Sequence, residues 1–218
     1  MEDKQKLLTG LEKAVREHNS EELNRCLGAA FETAIVEDEL RLALFRGLER
    51  QRRRMMTDDV PVPHFLLSLD TVHEGFKRIS LHLGREPGHG TPLVIGVVEG
   101  DPHDLGKNII AKVYEASSYR VYDLGREVSV DAFIRNVQEK EAKVLALSAM
   151  MSTTMAMMPE IIRRVKEETP GTVIMVGGAP LDTALAKSFG ADGYAESAVT
   201  LLEQTEAAIE RVSAGEPW

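Results

Sequence analysis

The sequence predicts an α/β protein in two parts: a bundle of short helices, then a five-stranded parallel sheet wound with helices on both faces. Two observations carry this. Up to about Gly84, apolar residues recur at helical spacing and no strand-like alternation is visible. From Thr91 onward, short apolar runs alternate with helical segments five times over. Between the two, Gly84-Arg85-Glu86-Pro87-Gly88-His89-Gly90 has the composition of a flexible boundary. The expected organisation is therefore 1–84, a linker at 85–90, and 91–218.

In the first part, Leu7, Leu8, Leu11 and Val15 mark one helix, and Ser20 ahead of Glu21 and Glu22 reads as the start of another. Leu40, Ala43, Leu44 and Leu48 mark a third. The Asp58–Pro63 segment breaks the chain before a fourth, carried by Phe65, Leu66, Leu69, Val72, Phe76 and Ile79. Helices this short are stable only when packed on one another, so a four-helix bundle is expected. Arg50 and Arg52–Arg54 read as a solvated helix end rather than a phosphate site. Cys26, the single cysteine, reads as a small buried side chain.

In the second part, the expected strands are Leu93–Val98, Arg120–Asp123, Lys143–Leu147, Thr172–Val176 and a short one near Asp192–Tyr194. Helices follow at Asn108–Ser117, Val130–Lys140, Met155–Glu168, Leu181–Phe189 and Ala198–Val212. The uninterrupted run Val144-Leu145-Ala146-Leu147 suits a strand covered on both faces. Right-handed crossovers then give a doubly wound, flavodoxin-like (Rossmann-like) sheet, whose ligands bind beyond the carboxyl ends of the strands at the switch point.

Composition narrows the function. The 218 residues carry a formal net charge of −9, which argues against a nucleic-acid partner. No uncharged run is long enough to span a bilayer, so no membrane partner is expected. Met1-Glu2-Asp3-Lys4 lacks the cationic-then-apolar pattern of a signal peptide, and a chain without a disulfide pair suits a reducing compartment; a cytoplasmic location is expected.

The loops at the predicted carboxyl edge hold the chemistry. The loop after the first strand reads Glu99-Gly100-Asp101-Pro102-His103-Asp104-Leu105-Gly106-Lys107-Asn108. Asp101 and His103 are spaced for an imidazole–carboxylate hydrogen bond, which fixes the ring tautomer and makes the other nitrogen a better metal donor. The loop after the third strand, Ser148–Thr154, offers the hydroxyls of Ser148, Ser152 and Thr154. The loop after the fourth, Gly177-Gly178-Ala179-Pro180, lets a bulky ligand approach the backbone. A flavin phosphate loop would be rich in hydroxyls where this one is acidic. A phospho-receiver would have an aspartate where Ser148 stands. His64, His73, His82 and His89 are spaced too irregularly to complete a zinc set and read as solvated or packing residues. Met150, Met151, Met155, Met157 and Met158 read as packing residues as well.

Asp101-x-His103-x-x-Gly106, then Ser148, then Gly177-Gly178 resembles the three-part signature of cobalamin-binding domains. The likeness spans 91–218 and includes Asp123-Leu124-Gly125 and Gly190-Ala191-Asp192-Gly193-Tyr194. It implies a cobalamin cofactor whose cobalt takes His103 as lower ligand in place of the cofactor's own base. It also implies a His103–Asp101–Thr154 relay, with threonine where serine is usual. Gly100, Asp104, Gly106, Ser148, Ser152, Gly177, Gly178 and Ala198 fall at cofactor-contacting positions. Pro102 departs from the family pattern, where an aliphatic residue is usual; it removes a backbone N–H and stiffens the loop.

A helical bundle before such a domain resembles the methyl carriers, including methionine synthase and the corrinoid proteins of anaerobic methyltransferase systems. There the bundle caps the reactive face, and aligning on Pro63 puts Met55 and Val62 at cap positions. The resemblance implies a non-catalytic carrier subunit. It would work with a donor-specific methyltransferase, an acceptor methyltransferase acting on tetrahydrofolate or a thiol, and a reductive activase. A mutase subunit and a cobalamin-sensing regulator are the alternatives.

Overall fold

The structure is a computed structural model that describes residues 2–33, 35–57, 61–84, 90–117, 119–196 and 200–218. The chain divides into two compact units, 1–87 and 88–218, and each is described by itself. Residues 85–89 of the expected linker lie outside the described residues.

The first unit is made of α1 (Glu2–Arg16), α2 (Ser20–Phe31), α3 (Glu37–Met56) and α4 (Val62–His82). Each presents one apolar stripe inward, and Leu11, Leu23, Leu27, Leu44, Phe65 and Phe76 are fully buried. Asn19, not Ser20, caps α2: its side chain accepts the Glu22 N–H at 2.9 Å, while the Ser20 hydroxyl reaches Glu74. α3 begins with Glu37, Asp38 and Glu39 and ends with Arg53 and Arg54, each sign set against the opposite pole of the helix dipole. Of the basic run, Arg52 and Arg53 pair with Glu49, and Arg50 pairs with Glu12. Cys26 is buried, and that burial pushes its thiol up to about 11.

The second unit comprises β1 (Pro92–Val97), α5 (Leu105–Ala116), β2 (Arg120–Asp123), α6 (Val130–Glu139), β3 (Val144–Ser148), α7 (Ser152–Met155), α8 (Met158–Glu168), β4 (Val173–Gly177), α9 (Thr183–Ser188), β5 (Gly193–Tyr194) and α10 (Leu201–Ala214). The strands are all parallel, in the order β2-β1-β3-β4-β5. The winding reverses between β1 and β3, whose carboxyl ends lie side by side, with Val97 paired to Ser148. Strand residues from Leu93 to Val176 and helix residues such as Phe133, Ile161 and Ile162 form the buried layers.

Three sequence expectations need correction. The helix expected at Met155–Glu168 starts at Met158 as α8, with the short α7 ending at Met155 before it, because Pro159 in the first turn of α8 has no N–H for the turn before it. α5 starts at Leu105 rather than Asn108, so the loop after β1 is shorter than expected and Asp104 occupies the cap position. Ser148 and Gly177 are the last residues of β3 and β4, not loop residues. Among the described residues, no helix is long and apolar enough to cross a membrane.

Candidate functional site

β1 runs out at Val97. A turn through Gly100 (φ +79°), closed by the Asp101 N–H on the Val98 carbonyl at 3.2 Å, drops Asp101 beneath the carboxyl edge of the sheet. Asp101 is fully buried. One carboxylate oxygen accepts the backbone N–H of His103 at 3.1 Å and lies 2.9 Å from its Nδ1. The other accepts the N–H groups of Met150 at 2.6 Å and Met151 at 3.1 Å, and the Thr154 hydroxyl at 2.8 Å. A single buried anion thus joins the loop after β1 to the start of α7, about 50 residues away in sequence.

Burial by itself pushes the Asp101 carboxyl up. The bonds from Met150, Thr154 and His103 outweigh it and hold the group well below the usual carboxylate range. Asp101 is therefore an anion at every physiological pH. Facing such an acceptor, Nδ1 of His103 carries the proton, and Nε2 is the nitrogen left as a donor to metal. The His103 side chain is 52% exposed, so that nitrogen is open to a ligand from outside.

Around it the edge is bare. A methyl group added at Gly106 or Gly125 would meet nothing within 4 Å, and at Gly177 only the Ala195 carbonyl at 3.9 Å. Gly178 differs: with φ +138°, an added Cβ would lie 1.7 Å from the Ala149 carbonyl oxygen. That glycine is required by the approach of the loop after β3. Thr154 is buried, Ser148 is half-buried, and Ser152 is exposed at the start of α7. Ala198 lies outside the described residues. Met55 is half-buried near the end of α3, and Val62 opens α4, its side chain outside the described set; both belong to the helical unit.

The methionines divide. Met158 is in the core, whereas Met150 is 53% exposed beside Asp101, contrary to the packing role expected for it. The backbone of Met150 and Met151 and the side chain of Lys107 also belong to this edge; only Lys107 carries a signal in sequence, a lysine in the first turn of a helix, where its charge is disfavoured. Two open clefts, of about 340 and 410 Å³, lie at the opposite, amino-terminal edge of the sheet and hold none of these groups. No set of three or more His, Cys, Asp or Glu side chains converges to hold a metal among the described residues. The donor set is one imidazole oriented by a buried carboxylate. It would suit a metal already held by its own organic ligand and open to one further nitrogen donor.

A doubly wound sheet with that imidazole at its switch point defines a cofactor-binding domain of the B12 type, and residues 91–203 match the B12 binding domain family. The chain is 38% identical to dimethylamine corrinoid protein 3 of Methanosarcina acetivorans over 63% of this chain and 66% of that one. It is 30% identical to dimethylamine corrinoid protein 2 of the same organism over 91% and 94% of the two chains. Among solved structures it resembles the methanol:cobalamin methyltransferase complex MtaBC from Methanosarcina barkeri, with 28% identity, a TM-score of 0.57, and 94% of this chain and 80% of that one covered. The chain belongs to the cobalamin-binding corrinoid proteins of methyltransferase systems, and its cofactor is a corrinoid.

Proposed function

We propose that this chain carries a methyl group on a corrinoid bound with its own base displaced and His103 as the lower ligand of cobalt. It would receive the methyl from a donor-specific methyltransferase and present it to an acceptor methyltransferase that methylates tetrahydrofolate or a thiol. A reductive activase would restore the cofactor after oxidation. The observation that carries this reading is the half-exposed His103 ring held by the buried Asp101, itself fixed by Thr154.

The corrinoid, when bound, supplies the cobalt that accepts and releases the methyl group. The chain's own residues do the rest. Asp101 holds the imidazole tautomer and orientation, and Thr154 holds Asp101. Gly100, Asp104, Gly106, Ser148, Ser152, Gly177 and Gly178 would line the edge on which the ring and tail of the cofactor lie, and Ala198, outside the described residues, would stand beside the tail. Gly178 contributes by letting the loops after β3 and β4 come together. Residues 1–84 would serve as the cap and 91–218 as the cofactor domain. Met55 and Val62 would supply apolar cover, joined by Leu66 and Leu67, which are exposed in the first turns of α4. Support for methyltransferase partners comes from the relatives, which include dimethylamine corrinoid proteins and a methanol:cobalamin methyltransferase complex.

The test is reconstitution with hydroxocobalamin. The wild type is expected to give the spectrum of a histidine-bound corrinoid, and His103→Ala to lose it and to bind about tenfold or more weakly. A His103→Ala spectrum identical to wild type would end this reading. Methyl exchange with an added methyltransferase is expected, and DNA binding without exchange would favour a regulator instead.

A further inference from the structure

His103 is held by Asp101, and a further ion pair stands at the start of the helix that follows it. Lys107 lies in the first turn of α5, four residues on, and its side chain is only 2% exposed. Both facts disfavour it. Burying an ammonium costs several kcal/mol unless it is paired, and a cation in the first turn opposes the helix dipole. Its partner is Asp123 at the end of β2, with Nζ 2.5 Å from one carboxylate oxygen. The other oxygen accepts the Gly125 N–H at 2.8 Å.

Asp123 stands on a rigid frame. The chain beyond it is bonded to β1: the Leu124 N–H to the Ile95 carbonyl at 2.9 Å, the Val97 N–H to Gly125 at 3.0 Å, and the Val128 N–H to Val97 at 3.0 Å. From the same segment, Arg126 reaches the Pro102 carbonyl at 3.4 Å, next to the ligand residue. α5 has no side-chain cap at Asp104, so its first turn is not fixed by the usual local device.

We propose that Lys107 and Asp123 are positioning residues for the lower ligand: their buried ion pair ties the start of α5 to β2 and so fixes the far end of the His103 loop. The inference rests on His103 ligation as read above and goes beyond it, because neither residue touches the cofactor in that reading. Asp101 sets which way the imidazole faces. The Lys107–Asp123 tether sets how firmly the loop holds it at cobalt height. Loosening the tether lowers the ratio of histidine-on to histidine-off cofactor without removing any ligand.

The test uses the full chain, labelled with ¹⁵N-histidine, reconstituted with hydroxocobalamin and reduced to Co(II). The splitting in the electron paramagnetic resonance spectrum separates a labelled histidine ligand from the unlabelled base of the cofactor. Lys107→Met keeps the length and apolar stem, and leaves Asp123, which is 36% exposed, free to hydrate. It is expected to melt within about 5 °C of wild type while its histidine-on ratio falls about tenfold. The double variant Lys107→Met/Asp123→Asn removes both charges and is expected to regain any lost stability but not the ratio. Wild-type ratios in Lys107→Met, or a ratio restored together with stability in the double variant, would overturn the tether. Unlabelled-base splitting in the wild type itself would instead overturn the reading of His103.

Discussion

The two units bury polar groups in different ways. In the helical unit they are satisfied between regular elements: Ser68 and Thr71 bond the His64 and Leu67 carbonyls one turn back in the same helix, and Ser68 and Gln51 reach His18 and the Arg16 carbonyl, just beyond and at the end of another helix. Its buried Glu12 pairs with an exposed Arg50. In the α/β unit the buried groups at the strand tips bond across long stretches of chain. Asp101 joins Met150 and Thr154, and Lys107 joins Asp123. The difference teaches where chemistry can sit. A helix satisfies its own backbone polar groups and leaves few of them to aim at a ligand. Parallel strands end in loops whose polar groups must find one another, and that meeting fixes a ligand in space.

The comparison can be broken most severely in the apolar core. Phe76 is fully buried in the helical unit, and Phe76→Ala should cost about 3–5 kcal/mol of that unit's stability. The splitting from the lower ligand of a bound corrinoid should be unchanged; its loss would mean that the helical core shapes the strand-tip site. Asp101→Ala should do the reverse. It strands the backbone N–H groups of His103, Met150 and Met151 and leaves the Thr154 hydroxyl only the Met151 carbonyl, costs about 3 kcal/mol in urea unfolding, and abolishes histidine ligation.

The adjacent glycines sharpen it further. Gly178→Ala forces a Cβ into the Ala149 carbonyl at positive φ and should destabilise by about 2–3 kcal/mol. Gly177→Ala meets open space, so its stability should change by less than about 0.5 kcal/mol. Its corrinoid affinity should fall instead, which equilibrium titration with hydroxocobalamin would measure.

A pH series tests the helical unit alone. Burial raises the Cys26 thiol from its ordinary 9.0 to about 11. The protonated thiol is therefore favoured by folding. That contribution is complete below pH 9 and is lost as pH rises through 11. Urea midpoints should fall across that window in the wild type, and less steeply in Cys26→Ala. The smallest effect belongs to the surface: Arg163→Ala removes exposed pairs with Glu160 and Glu167 and should shift stability by less than about 0.5 kcal/mol.

Much of this protein was written in local sequence pattern. Helical spacing to Gly84 gave four helices, and short uninterrupted apolar runs between helical segments gave five parallel strands, because such patterns are properties of neighbouring residues. The loop around Asp101 and His103 was legible too, since the two residues that meet there are two apart. What the sequence could not decide was which distant groups complete it. That Met150 and Met151 give their N–H groups to Asp101, that Gly178 is pressed against Ala149 while Gly177 stands open, and that Lys107 finds Asp123 all depend on strand order. Only the order β2-β1-β3-β4 brings those loops within reach of one another. Local spacing carries no information about distances across a sheet, which are set when the apolar faces pack.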